Sequence, residues 1–170
     1  MSHVEERLKA REIVLPEPTA PVANYVPFVR SGNLVHISGQ VSIDASGGIK
    51  GVVGDDVAMQ TAIAAARLCG LNLIAQMKAA ADGDLDRVRR VVKLGGFVQA
   101  GRDFTEIPKV LNGCSDLMVQ VFGEAGRHAR SAVGVYCLPL NFAVEVDAVV
   151  ELSSFAEAPD DVSPEAPAGA

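Results

Sequence analysis

Residues 127–152, RHARSAVGVYCLPLNFAVEVDAVVEL, carry the reading that decides the fold. A basic turn leads into a loosely alternating run, 131–138, rich in small and β-branched residues. Pro139, Leu140 and Asn141 interrupt it as a turn. From Ala143 the alternation is clean. Val144, Val146, Ala148, Val150 and Leu152 point one way, and Glu145, Asp147 and Glu151 the other. This pattern predicts two strands, with polar groups carried on an apolar sheet. Arg130 and Glu145 are the residues to single out. Taken by themselves, an Arg ahead of a strand is most often a surface ion-pair partner, and a Glu on an alternating strand faces water.

Working outward, residues 3–10 (HVEERLKA) predict a short helix, followed by a Pro-rich lead-in. Tyr25 to Arg30 and Leu34 to Gln40 predict two strands around Ser31-Gly32-Asn33. Val35 and Ile37 face opposite Leu34, His36 and Ser38. Ile49 to Val53 predicts a short third strand. A long helix is expected from about Asp55 to Ala80, capped by Asp55 or Asp56, with Ile63, Ala66, Gly70, Leu73, Ile74 and Met77 at helical spacing. Leu85 to Val98 contains a strand with Val88, Val92, Leu94 and Val98 on one face. Thr105 and Pro108 open a second long helix that Gly123 stops. The order β-β-(β)-α-β-α-β-β is that of an α+β fold: a mixed sheet of about six strands with both long helices on one face. The expected organisation is a lead-in over 1–20, one domain over 21–152, and a disordered acidic, Ala/Pro-rich tail over 153–170.

Composition narrows the function. The chain has 170 residues, 49% of them hydrophobic and 21% charged. Its mean hydropathy is +0.24. So apolar a chain is expected to cover part of its surface by self-association. No apolar stretch approaches the ~18 residues of a membrane span, and the polar start has no signal-peptide core, so cytoplasm is the expected compartment. Cys69, Cys114 and Cys137 read as buried free thiols. The net charge of −6 and the 5% aromatic content, with no Trp, argue against a dedicated nucleic-acid binder. The basic group Arg87, Arg89, Arg90 and Lys93 reads as a solvated or interface strand. Gly47-Gly48-Ile49-Lys50-Gly51 lacks a dinucleotide-binding pattern. Ser38 and Ser131 lack a nucleophile-elbow context. His3, His36 and His128 are too dispersed for a metal site.

Tyr25, Ser38-Gly39-Gln40, Asn112, Arg130 and Glu145 occur in an order that resembles the RidA/YjgF family of reactive-intermediate deaminases, whose members also carry the name L-PSP endoribonuclease. The segment ARSAVGVYCLPLNFAVEVDAVV is similar to that family's Arg-Ser-x-Val, Leu-Pro and Val-Glu-Val signature, and the resemblance runs from about Tyr25 to Leu152. It implies a chorismate-mutase-like homotrimer with sites between subunits. It also implies that Arg130 holds a substrate carboxylate, that Glu145 positions water, and that Tyr25, Ser38, Gly39 and Asn112 line the cleft. The implied reaction is hydrolysis of enamines and imines such as 2-aminoacrylate to 2-keto acids and ammonia, with no metal or organic cofactor. A planar guanidinium suits the carboxylate, and a Glu suits proton transfer to and from water. The alternatives are a trimeric carboxylate-binding or regulatory protein without turnover and, further off, an RNA-cleaving enzyme. Two positions depart from the family pattern: Ala132 where Cys is common, and His128-Ala129-Arg130 where Pro-Ala-Arg is usual. If the last two strands form a hairpin, Glu145 pairs near Tyr136, some six residues or roughly 20 Å from Arg130. The two side chains are then expected to meet only across a subunit interface.

Overall fold

The computed structural model describes residues 3–18 and 24–153; the expected tail beyond Ser153 lies outside them. Its elements are α1 (His3–Ala10), β1 (Phe28–Ser31), β2 (Leu34–Val41), α2 (Met59–Ala80), β3 (Val88–Gln99), α3 (Ile107–Phe122), β4 (Ala129–Val135) and β5 (Val144–Leu152). Five strands form one sheet in the order β1-β2-β5-β3-β4. Neighbours are antiparallel except β3 and β4, which are parallel. A parallel neighbour needs a crossover, and α3 supplies it.

Two expectations fail here. The sheet has five strands and not six, because 49–53 makes only isolated bridges, Lys50 with Phe142 and Val53 with Val57 and Ala100. The last two strands also do not form a hairpin, because β3 lies between them. β5 alternates strictly between buried and half-buried residues, the signature of a strand with one face on a core. That pattern earns it the central position between β2 and β3, and β4 is left at the edge.

Both long helices cover the same face. Cys69 of α2 lies against the Val144 carbonyl, and Gly96 of β3 lies under Leu111 of α3. Val35, Ile37, Val91, Leu94, Val98, Val144, Val146, Val150 and Leu152 are fully or almost fully buried beneath them. α2 and α3 approach closely at two glycines. A Cβ on Gly113 would collide with the Ile63 backbone carbonyl, and one on Gly70 would lie 2.9 Å from the Leu117 Cδ2. Asn72, buried on α2, donates to the Val41 and Ile43 carbonyls at 3.2 and 3.0 Å and so fixes the helix to the end of β2. The Asp86 carboxylate caps α1, taking the His3 and Val4 amides at 2.8 and 2.9 Å. The opposite face of the sheet carries Val29, His36, Lys93, Phe97, Val133, Glu145, Asp147 and Val149 and, among the described residues, has no helix over it.

Local corrections have local causes. α2 begins at Met59, not near Asp55. Ala58 is its N-cap residue, while Asp56 turns back to accept the Val52 amide. In β3, register shifts at 88/90 and 91/93 put Val91 in the core in place of Val92. Cys69 and Cys114 are buried as expected, but Cys137 is exposed on the loop after β4.

Candidate active site

The predicted site residues fall into two groups at separate places on the sheet. Arg130 is on edge strand β4, level with Leu94 of β3, and turns toward the helix layer. Along α3, Pro108, Asn112 and Ser115 are spaced four and three apart, so they share one face. They are the residues Arg130 meets. Its Nη1 donates to Asn112 Oδ1 and Ser115 Oγ, both at 3.0 Å, and its Nη2 donates to the Pro108 carbonyl at 3.2 Å. All three acceptors are neutral. Among the described residues, the ion pairs found lie elsewhere.

His128 stands behind this group. Its Nε2 is 2.9 Å from Ser115 Oγ and its Nδ1 is 2.6 Å from the Gly126 carbonyl oxygen. Burial, followed by the Arg130 charge, lowers its pKa, and the Gly126 carbonyl pulls the other way. Cys114 is close enough to feel Arg130, yet burial pushes its thiol up to about 12. It is therefore a neutral packing group and not a nucleophile.

The second group surrounds Glu145, on the helix-free side of β5. The register shift between Ile37 and Gln40 brings Gly39 beneath the Glu145 carboxylate, and a Cβ there would collide with Oε1. Ser38 donates its hydroxyl to the Val26 carbonyl at 2.7 Å, and its amide bonds the Pro27 carbonyl at 2.9 Å. These bonds tie the Tyr25 segment to the same corner, with Tyr25 47% exposed. Burial, and then the charge of Asp147, raises the Glu145 pKa. Burial also raises that of Asp147, against the Gly95 amide and Lys93. A carboxyl group so placed can both take and return a proton.

One chain does not unite the two groups. Arg130 is level with Leu94, whereas Glu145 is level with Phe97, one further strand away. Three residues along the strands and two strands across amount to roughly 14 Å between Cα atoms, and the side chains leave opposite faces. This separation arises from β3 lying between β4 and β5 and from the opposite faces, not from the expected hairpin. A recess of about 380 Å³ lined by Gly54, Asp55, Arg102, Asp103 and Phe104 contains neither group. Among the described residues no cluster of His, Cys, Asp and Glu suits a metal ion, and no helix is long and apolar enough to cross a membrane. In the sequence His128 is marked only as a departure from the family pattern, and Ser115 goes unmarked. The signal was the 108/112/115 spacing, together with a His two residues before Arg130 and therefore on its side of the strand.

Comparison with known proteins bears on the family and the fold. Residues 5–152 match the family described as YjgF/chorismate-mutase-like, with endoribonuclease as its ascribed activity. The chain is 50% identical to Protein TCP17 of Trypanosoma cruzi over 153 residues, 89% of this chain and 95% of that one. It is 29% identical to a 2-iminobutanoate/2-iminopropanoate deaminase of Dermatophagoides farinae over 142 residues, 82% of this chain and 94% of that one. The crystal structure of Atu1372 from Agrobacterium tumefaciens, a protein of unknown function, superimposes with a TM-score of 0.82. It is 48% identical, over 88% of this chain and 92% of that one. With a family match over nearly all its described length and the same α+β fold, the chain belongs to the YjgF/chorismate-mutase-like family.

Proposed function

We propose that the protein hydrolyses amino-acid-derived enamines and imines, such as 2-aminoacrylate, to 2-keto acids and ammonia, in sites shared between neighbouring copies of a cyclic homotrimer. One observation carries the reading. The Arg130 guanidinium is fixed by three neutral oxygens, so its orientation is set while its charge is left for an anion. An imine bearing a carboxylate supplies that anion, and the guanidinium fork grips it. An enamine first tautomerises to its imine; the Glu145 of a neighbouring copy then takes a proton from water as the oxygen adds to the C=N carbon, and hands that proton to the nitrogen. The tetrahedral intermediate then expels ammonia as its hydroxyl becomes the keto oxygen. The raised Glu145 pKa suits a group that must hold and release that proton. The deaminase relative of Dermatophagoides farinae supports the same chemistry.

The test is release of 2-keto acid when purified protein meets 2-aminoacrylate and bulkier imines generated in situ. Wild type accelerates release and Arg130→Ala abolishes the acceleration. Glu145→Gln retains binding of 2-oxobutanoate while turnover falls by about 10²-fold or more. A wild type that binds 2-oxobutanoate but accelerates no imine is a carboxylate-binding protein, and the deaminase reading falls.

A further inference from the structure

Ser115 and His128 take no part in the chemistry above, yet their hydrogen bonds form one directed chain that starts at Arg130 and ends at the Gly126 carbonyl. The Gly126 carbonyl can only accept, so the His128 Nδ1, 2.6 Å away, carries the proton. The Nε2 of a neutral ring is then an acceptor, and Ser115 must donate its hydroxyl proton to it at 2.9 Å. The Ser115 oxygen has only lone pairs left, and one of them takes the Arg130 Nη1 at 3.0 Å. The tautomer of His128 thus dictates the polarity of every later bond. Asn112 and Pro108 hold two further N–H groups of Arg130. What remains of the five donors, among the described residues, is the Nε–H and one hydrogen on Nη2, a pair that fits the two oxygens of one carboxylate.

We propose that His128, kept as the neutral Nδ1–H tautomer and acting through Ser115, is the positioning residue that makes Arg130 present its Nε–Nη2 edge to the ligand carboxylate. This deepens the reading of Arg130 as a carboxylate grip and rests on it, although the relay itself does not. Charged neighbours do not compete for the imidazole. Arg130 acts on it from β4, α3 faces it with neutral Ser115, and on the turn before it Glu124 and Arg127 pair with each other.

Two measurements separate positioning from simple pinning of β4 to α3. In the first, calorimetry with 2-oxobutanoate, Ser115→Ala and His128→Ala each weaken binding by about tenfold. The double variant loses about tenfold as well, because His128 works only through Ser115. His128→Gln, whose amide can accept from Ser115, recovers most of the loss, and with imine substrates the losses fall on KM more than on kcat. A double variant weakened by about a hundredfold, or a His128→Ala protein that binds like wild type, overturns the proposal. The second measurement needs no ligand. Ring ¹⁵N shifts of His128 show the Nδ1–H tautomer, and Arg130→Ala moves its titration to higher pH by removing the neighbouring charge. An Nε2–H tautomer, or a titration unmoved by Arg130→Ala, sinks the relay. If wild type binds no 2-oxobutanoate while the ¹⁵N results hold, the carboxylate reading fails and the relay stands as a means of fixing Arg130.

Discussion

Glu145 illustrates how a carboxylate on a sheet face can cost stability. Its carboxyl is half-buried beside Asp147, and both burial and that charge raise its pKa. A carboxyl raised in the folded state favours folding only while it is protonated. Its stabilising contribution is complete below the unfolded value near 4.5 and is lost as pH rises through the folded value. Glu145→Gln removes the penalty on the ionised form. The variant should therefore melt about 1–3 °C above wild type at pH 8, with the gap closing toward pH 4, in thermal melts followed by circular dichroism. An equal gap at both pH values would mean that the carboxylate is fully compensated in the assembly. The candidate residues were legible unevenly. Arg130 and Glu145 stood out through the family resemblance, because by themselves they read as a surface ion-pair partner and a solvent-facing carboxylate. Ser115 and His128 did not, because a lone Ser within a helix and a lone His before a strand are ordinary until a fold brings them together.

At the scale of elements, the seam between α2 and α3 decides whether Arg130 has anything to hold. α3 carries Pro108, Asn112 and Ser115, and Gly113 lies between them against the Ile63 carbonyl. Backbone cannot swing aside as a side-chain tip can. Gly113→Ala must therefore move the helices apart, at a cost of about 2–3 kcal/mol, or roughly 5–10 °C in Tm. Gly70→Ala, which meets the Leu117 side chain at 2.9 Å and Cys114 Sγ at 3.2 Å, should cost about half as much. Equal melting temperatures for the two variants would refute this account of the seam. Both long helices and all five strands were legible from periodicity and turn residues, and the order of the elements placed them in one mixed sheet. Periodicity could not supply the details. The two bulges of β3 hand the core from Val92 to Val91, and Asp56 spends its carboxylate on Val52 and not on the helix start. The insertion of β5 between β2 and β3 is invisible locally, because strand order depends on contacts far apart in sequence.

At the scale of the whole molecule, the two groups of site residues stand on different strands and on opposite faces of one sheet. If they act together, the contact must be heterologous: one copy offers the Arg130 edge and the next offers the Glu145 face. Heterologous contacts that close on themselves make rings. The helix-free sheet face, with Val29 and Val133 each about half exposed, is the apolar surface such a ring would cover. Mixing inactive subunits tests the arrangement directly. Arg130→Ala and Glu145→Gln proteins, each unable to turn over alone, are refolded together in equal amounts. In a cyclic trimer every mixed ring has one junction at which an intact Arg130 meets an intact Glu145. About three rings in four are mixed, so about a quarter of wild-type activity returns. Recovery should disappear when the variants are refolded separately and then combined under conditions where subunits do not exchange. Zero recovery in co-refolded rings shown by sedimentation to be mixed would mean that each chain completes its site alone, and the division of labour between Arg130 and Glu145 would have to be abandoned.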